Sequence, residues 1–420
     1  MESLAFVVVA AGILGFGLIS EKVQKSILTP PMAFVAFGLA VSHLGMVHFH
    51  VDEHMIHTLA EITLVLVLFT DASRIDLRLL RQEHDLPVRL LLIGMPLTVI
   101  LGTLSASWLF PAFTIWEAAL LAAVLAPTDA ALGQAVVSSP LVPVRIRQAL
   151  NVESGLNDGI ALPLVLVFLS TCASAVPGQG GTEYWLKFAA LQVTLGPLVG
   201  FLVGGLGGRW VQTASERGWM SHPFVRLSSL GLALLSFAAA EVIGGNGFIA
   251  AFCAGLAMGN AARRLSDAIH NFAEAEGQLL TLLVFLIFGA SILPELLHHG
   301  SGAMWIYAVL SLTVVRMLPV ALSLLGMGLR WQTVGFLGWF GPRGIASILF
   351  GLLVVESSVL EARDEIFQVV IATVVLSVLA HGVTAYPGAK WYARCSGTLD
   401  SEEAPEHQQV TEMPVRTRHA

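Results

Sequence analysis

Residues 115–137 read IWEAALLAAVLAPTDAALGQAVV, and residues 332–355 read QTVGFLGWFGPRGIASILFGLLVV. Each stretch is long and apolar enough to cross a bilayer, which takes about 20 such residues. Each is also interrupted midway, by Ala126-Pro127-Thr128-Asp129 and by Gly341-Pro342-Arg343-Gly344. Proline removes a backbone donor and breaks a helix. In lipid such a break is tolerated only where the freed carbonyls face protein or a water-filled cavity. Two matched breaks, each beside a charged side chain, point to one site built by both.

Working outward, apolar runs recur along the whole chain. They lie near 4–20, 27–45, 55–73, 87–109, 115–137, 147–174, 184–208, 224–243, 246–262, 275–296, 302–327, 332–355 and 365–390, with only Gly244, Gly245 and Asn246 dividing the eighth from the ninth. Only 12% of residues are charged, against 55% hydrophobic, and the mean hydropathy is +0.78. A soluble domain carries about 25% charged residues. The reading is therefore an all-α polytopic membrane protein of about thirteen spanning helices over residues 1–395. The polar segment 396–420, rich in Glu, Gln, Thr and Pro, is expected to be a disordered cytoplasmic tail.

The basic residues test this count. Lys22 and Lys25, then Arg74, Arg78, Arg81 and Arg89, then Arg145 and Arg147, then Arg209, Arg217 and Arg226, then Arg263 and Arg264, then Arg330, then Lys390 and Arg394 all fall in alternate loops. The opposite set holds only Lys187 and Arg363. By the positive-inside rule this predicts the N-terminus outside and the C-terminus in the cytoplasm. Thirteen spans divide as six, one linker and six, which makes the second six an inverted repeat of the first. The breaks then fall in the fifth member of each half, and Pro96 and Pro319 fall in the fourth. Crossed broken helices at the membrane midplane are the expected consequence.

Ionisable residues inside spans are functional candidates. They are Glu61, Asp71, Asp129, Glu153, Asp158, Arg316 and Arg343; Glu117 and Glu241 lie nearer helix ends and are read as solvated. The sixth span contains Asn151-Val152-Glu153-Ser154-Gly155-Leu156-Asn157-Asp158-Gly159. Ser154 and Asp158 are four apart and share a face, as do Glu153 and Asn157 beside them. A hard monovalent cation needs several oxygens. Ser154 Oγ, the Asp158 carboxylate, the Thr128 hydroxyl and a freed carbonyl near Asp129 would supply them. Glu153 needs a buried counter-charge, and Arg316 is the partner expected; Arg343 would compensate charge at the crossing or tune the site.

Burial disfavours the charged form of a carboxylate. A proton and a cation would therefore compete for Asp158, and the empty, charged site would be costly to move through the barrier. Competition with a forbidden empty crossing gives obligatory exchange, one proton for one cation. The alternative is a sodium-coupled symporter of an organic solute, which would need a second, larger pocket. An intramembrane serine hydrolase is not supported, because Glu153-Ser154-Gly155 lacks the upstream glycine of a nucleophile elbow. His381, deep in the last span, reads as a packing histidine. No basic patch interleaved with aromatics suggests nucleic acid. Cys172, Cys253 and Cys395 lack metal spacing. His43, His48, His50, His54 and His57 read as a solvated external loop, with a pH sensor or metal site as the alternative; His298 and His299 are read alike.

At these residues the chain resembles the monovalent cation/proton antiporters, the family of bacterial and eukaryotic sodium/hydrogen exchangers. The resemblance covers about residues 1–395. It rests on Pro127-Thr128-Asp129, on Glu153-Ser154 followed by Asn157-Asp158, on Phe69-Thr70-Asp71-Ala72, on Arg316 and on Gly341-Pro342-Arg343-Gly344. It implies Asp158 as the transport carboxylate, with Asn157 its partner in the electroneutral branch. Thr128, Asp129 and Ser154 would help hold Na+, Li+ or K+, Asp71 would reach the site, and Glu153 would pair with Arg316. It further implies no cofactor, an inner-membrane homodimer and elevator-like movement. The moving core would be about 87–174 and 302–390, against a dimer scaffold of about 1–73 and 184–296. Two features depart from the family: the tail is short, and the external histidines have no counterpart in its pattern.

Overall fold

The computed structural model describes the chain except residues 1, 25, 45–52, 83, 130–131, 175–181, 263–265, 358–359, 397–404, 409 and 411–420. The described elements are helical: α1 Glu2–Gln24, α2 Pro30–His43, α3 Glu53–Ser73, α4 Leu77–Gln82, α5 Asp85–Arg89, α6 Met95–Leu109, α7 Ile115–Val124, α8 Gln134–Val137, α9 Val144–Ser174, α10 Thr182–Glu216, α11 His222–Val242, α12 Gly247–Ala261, α13 Ser266–Ile287, α14 Leu293–His299, α15 Gly302–Leu312, α16 Val314–Ser323, α17 Trp331–Trp339, α18 Ile345–Glu356 and α19 Arg363–Ser396. π turns at Leu90–Gly94 and Phe288–Ile292 join α5 to α6 and α13 to α14. Among the described residues, seven of the resulting helices are long and apolar enough to cross a membrane, and four shorter apolar helices accompany them.

Both predicted breaks are present. α7 ends at Val124 and α8 begins at Gln134; α17 ends at Trp339 and α18 begins at Ile345. The prolines of the fourth members act differently. Pro96 lies just after the π turn within the continuous span Asp85–Leu109, which runs through it without a break. Pro319 lies inside α16, and the helix changes direction earlier, at Thr313 (φ −109°, ψ −94°). The division between α11 and α12 is a tight turn, with Gly244 at φ +80° and Asn246 capping Ile249 N at 2.9 Å.

Helix α12 lies between α10 and α3 by virtue of small residues. A methyl on Gly200 or Gly204 of α10 would come within 2.3 Å of an α12 carbonyl, and one on Gly255 or Gly259 of α12 within 2.1 Å of an α3 carbonyl. Without a hydrophobic drive between helices in lipid, such backbone approach supplies the packing.

The remaining helices bring the site to one level. A large apolar cluster takes Ala118–Ala126 of the first broken helix, Ala161–Val165 of α9, Tyr307 and Ala308 of α15, Ile345–Val354 of α18 and Ile366–Val378 of α19. A second, smaller cluster takes Val136, Val137, Ile146, Ala149, Leu150, Val320, Phe336–Phe340, Ala385 and Ala389. In four of these elements the change of cluster falls across 151–160, 309–319, 341–344 and 379–384; on the first broken helix Leu132 still belongs to the large cluster. Those gaps contain Glu153, Ser154, Asn157, Asp158, Arg316, Arg343 and His381, and Thr128 and Asp129 of the first break join this polar layer through Ser154, Asn157 and Pro342.

Three expectations need correction or limits. Glu117 is at a helix start but is buried, because it closes a capping box: its carboxylate accepts from Thr114 N at 2.8 Å and its N–H donates to Thr114 Oγ1 at 3.2 Å. The tail is not wholly without structure, since Pro405–His407 forms a 3-10 turn with Glu406 buried. Of the external histidines, His43 is exposed at the end of α2, and the side chains of the others lie outside the described residues.

Candidate functional site

The two breaks hold each other through backbone and charge. Asp129 N donates to Pro342 O at 2.8 Å. Asp129 Oδ2 accepts from Ile345 N at 3.0 Å, which places a carboxylate on the N-terminus of α18. Arg343 Nη1 donates to Ala126 O at 2.8 Å and Pro127 O at 3.1 Å, which places a guanidinium on the carbonyls freed at the end of α7. Helix N-termini favour negative and C-termini positive charge. The aspartate of one break therefore neutralises the helix end of the other, and the arginine does the reverse. Gly344 is required by this closeness, since a methyl there would sit 2.0 Å from Asp129 Oδ2.

The C-terminal end of α17 is closed by α19. His381 Nε2 lies 2.8 Å from Trp339 O, an obligate acceptor, so Nε2 carries the proton. Nδ1 lies 3.1 Å from Ser377 Oγ and 3.0 Å from Ser377 O, and Ser377 Oγ accepts from Arg343 N at 2.7 Å. A Ser377–His381 bracket thus spans the second break from Trp339 to Arg343. The sequence revealed a satisfied histidine; that it ties both sides of the break is a property of the fold.

Helix α9 meets the first break through its polar face. Ser154 Oγ donates to Thr128 O at 2.6 Å, and Asn157 Nδ2 donates to Thr128 Oγ1 at 2.6 Å. Asn157 Oδ1 is buried with no hydrogen-bond partner among the described residues. Asp158 follows, also buried. Glu153 and Arg316 form a bidentate pair, Nη1–Oε1 2.6 Å and Nη2–Oε2 2.8 Å, each residue 2% exposed. The guanidinium lies against Gly341, where a methyl would come within 2.5 Å of Arg316 Nε.

Asp158 stands where the bundle meets α3 and α12. A methyl on Gly155 would lie 3.4 Å from Ile75 and 3.8 Å from the Asp71 carbonyl, and one on Gly159 would strike the Phe252 ring at 2.5 Å. Asp71 is half-buried beside this seam. Glu61 stands apart from the polar layer, lining a cavity between α3, α12 and α18 with Leu64, Phe248, Leu349 and Glu356. The structure therefore brings Thr128, Asp129, Glu153, Ser154, Asn157, Arg316 and Arg343 into one contact network, with Asp158 and Asp71 at its edge. Among the described residues no cluster of His, Cys, Asp and Glu has the form of a resident metal site.

Three comparisons bear on this arrangement. The chain is 26% identical over 407 residues to the K(+)/H(+) antiporter NhaP of Alkalimonas amylolytica, covering 93% of this chain and 67% of that protein. It is 26% identical over 397 residues to the Na(+)/H(+) antiporter ApNhaP of Aphanothece halophytica, covering 90% and 71%. It spans 34% of the length of the Na(+)/H(+) antiporter 2 of Zygosaccharomyces rouxii. In fold it is similar to the sodium proton antiporter MjNhaP1 of Methanocaldococcus jannaschii, with a TM-score of 0.76 at 20% identity over 93% of this chain and 99% of that one. The transmembrane sodium/hydrogen exchanger model matches residues 6–391, and the chain belongs to that family of transporters.

Proposed function

We propose that the chain exchanges a monovalent cation, Na+ or K+, for H+ at Asp158, as a secondary antiporter. The observation that carries this reading is the charge of the polar layer. Asp129, Glu153 and Asp158 supply three carboxylates, and Arg316 and Arg343 two guanidiniums, all less than 9% exposed. Glu153 is paired with Arg316, while Asp129 sits on the N-terminus of α18 and Arg343 on the carbonyls that follow α7. The formal charges of these five side chains sum to minus one. A proton or one monovalent cation cancels it; an empty site remains charged and desolvated, which is costly. The layer is thus neutral when loaded with either ion, and electroneutral one-for-one exchange follows.

Around Asp158, Thr128, Ser154 and the buried Asn157 Oδ1 are the oxygens on hand for a cation. Asp129 acts in this reading chiefly as a cap for α18 rather than as a direct ligand. The glycine-lined seam at Gly155 and Gly159 suits sliding of the bundle (about 87–174 and 302–390) past the scaffold (about 1–73 and 184–296). Such alternating access, with the scaffold forming a homodimer in the inner membrane, the N-terminus outside and the C-terminus in the cytoplasm, completes the proposal. The test is dequenching of a pH-sensitive dye in proteoliposomes given each alkali cation in turn. Asp158→Asn should insert and fold but exchange nothing; robust proton-coupled cation flux in that variant would refute the assignment.

A further inference from the structure

The end of the bundle that bears Arg145, Arg330 and Lys390 carries a small site of its own. Arg330 is the N-cap of α17, and its side chain makes no capping bond. The first N–H groups of a helix have no partner within it, and a carboxylate is favoured there. Glu406 provides it. The side chain is 1% exposed, and Oε1 accepts from Arg330 N at 2.9 Å and from Thr333 Oγ1 at 3.0 Å. Because Thr333 spends its proton on Glu406, the Tyr392 hydroxyl 3.0 Å away donates to Thr333. Tyr392 is fixed by stacking on Phe336, with ring centroids 4.3 Å apart. On the other side the Arg145 guanidinium donates to Pro405 O.

We propose that Arg145, Arg330 N, Thr333 and Tyr392 form a carboxylate-binding seat whose ligand is Glu406 of the chain's own C-terminal segment, and that occupancy braces the half-helix α17. Three features support it. A buried carboxylate with two donors on a helix N-terminus is a filled site, not a loose contact. Glu406 comes only ten residues after Ser396, the end of α19, which itself supplies Tyr392, so the ligand follows directly from an element of the seat. The seat also draws on both halves of the bundle, Arg145 on α9 and the rest on α17 and α19. It therefore stitches the two repeats at the end opposite to α18, one helix-half away from the Pro342–Asp129 contact.

The test is hydrogen exchange on the full-length protein in nanodiscs. In Glu406→Ala the amides of Arg330 and of 334–337 should exchange about tenfold faster, while those of 348–351 in α18 hold. Thr333→Val should reproduce the change. Turnover in proteoliposomes should fall about threefold with the apparent KM for the cation unchanged, as a loosened moving part would give. Glu406→Gln keeps the shape and one acceptor oxygen and should fall between native and Ala, which preserves the test if Glu406→Ala folds poorly. Native protection at Arg330 and 334–337 in Glu406→Ala, or lost protection with native turnover, would overturn the proposal. The exchange measurement does not depend on which ion Asp158 carries.

Discussion

The Glu153–Arg316 pair allows a prediction with a worked magnitude. Both residues are 2% exposed and joined by two bonds of 2.6 and 2.8 Å. Two ions so desolvated roughly break even with an apolar pair of similar volume, whereas removing one strands the other at about 3–5 kcal/mol. Arg316→Met and Glu153→Leu should each destabilise by that amount. With about 2.1 cal/mol/K of unfolding entropy per residue, that is a drop of roughly 3–6 °C in the unfolding midpoint of this chain. The double variant should recover most of the loss. A thiol-reactive dye reads the midpoint, because Cys172 and Cys253 are buried and exposed only on unfolding. The pair is internally neutral, so the double variant leaves the net charge of the polar layer unchanged and should still exchange ions. Additive losses in the double variant would mean that the two charges do not answer each other. A stable double variant without transport would place the pair on the ion path.

Two further substitutions address the breaks. Gly344→Ala forces a methyl to 2.0 Å from Asp129 Oδ2; it should cost about 1–3 kcal/mol and cut exchange with Asp158 intact, and native activity would show that the crossing tolerates a shift. His381→Leu removes the donor to Trp339 O and should cost about 1–3 kcal/mol for the stranded carbonyl, with His381→Gln, which can still donate, recovering part of it; equal loss in both, measured by the same dye, would mean the ring's bulk matters and its N–H does not.

The sequence made the breaks legible because proline beside a charge has few uses inside an apolar run. It made the Glu153–Arg316 pair legible because a buried charge needs a counter-charge. What it could not supply was which element each polar group would meet. Asp129 reads as a candidate ligand in sequence, yet its Oδ2 accepts from Ile345 N, 216 residues away. Arg343 reads as a compensating charge, but only the fold reveals that it compensates the end of α7. Glu117 reads as solvated because it lies near a helix end; the Thr114 cap keeps it buried. The tail reads as disordered because its composition is polar, and composition is blind to one glutamate finding a helix N-terminus.

The charge of the polar layer also fixes what a change at residue 157 must do. Asn157 Nδ2 now donates to Thr128 Oγ1 at 2.6 Å, so the hydroxyl's own proton points elsewhere. Asn157→Asp reverses that bond: the carboxylate accepts from Thr128, and the geometry needs no larger change. The layer then holds four carboxylates against two guanidiniums, an excess of two, and two negative groups this close cannot both ionise cheaply. A single cation no longer neutralises the layer, but two protons do. Exchange should become electrogenic, two protons against one cation, and a potential-sensitive dye should report a cation-dependent voltage in vesicles where the native protein should give none. A silent dye with a folded, proton-exchanging Asn157→Asp variant would mean that the excess charge resides somewhere other than Asp158, and the one-for-one argument would fall with it.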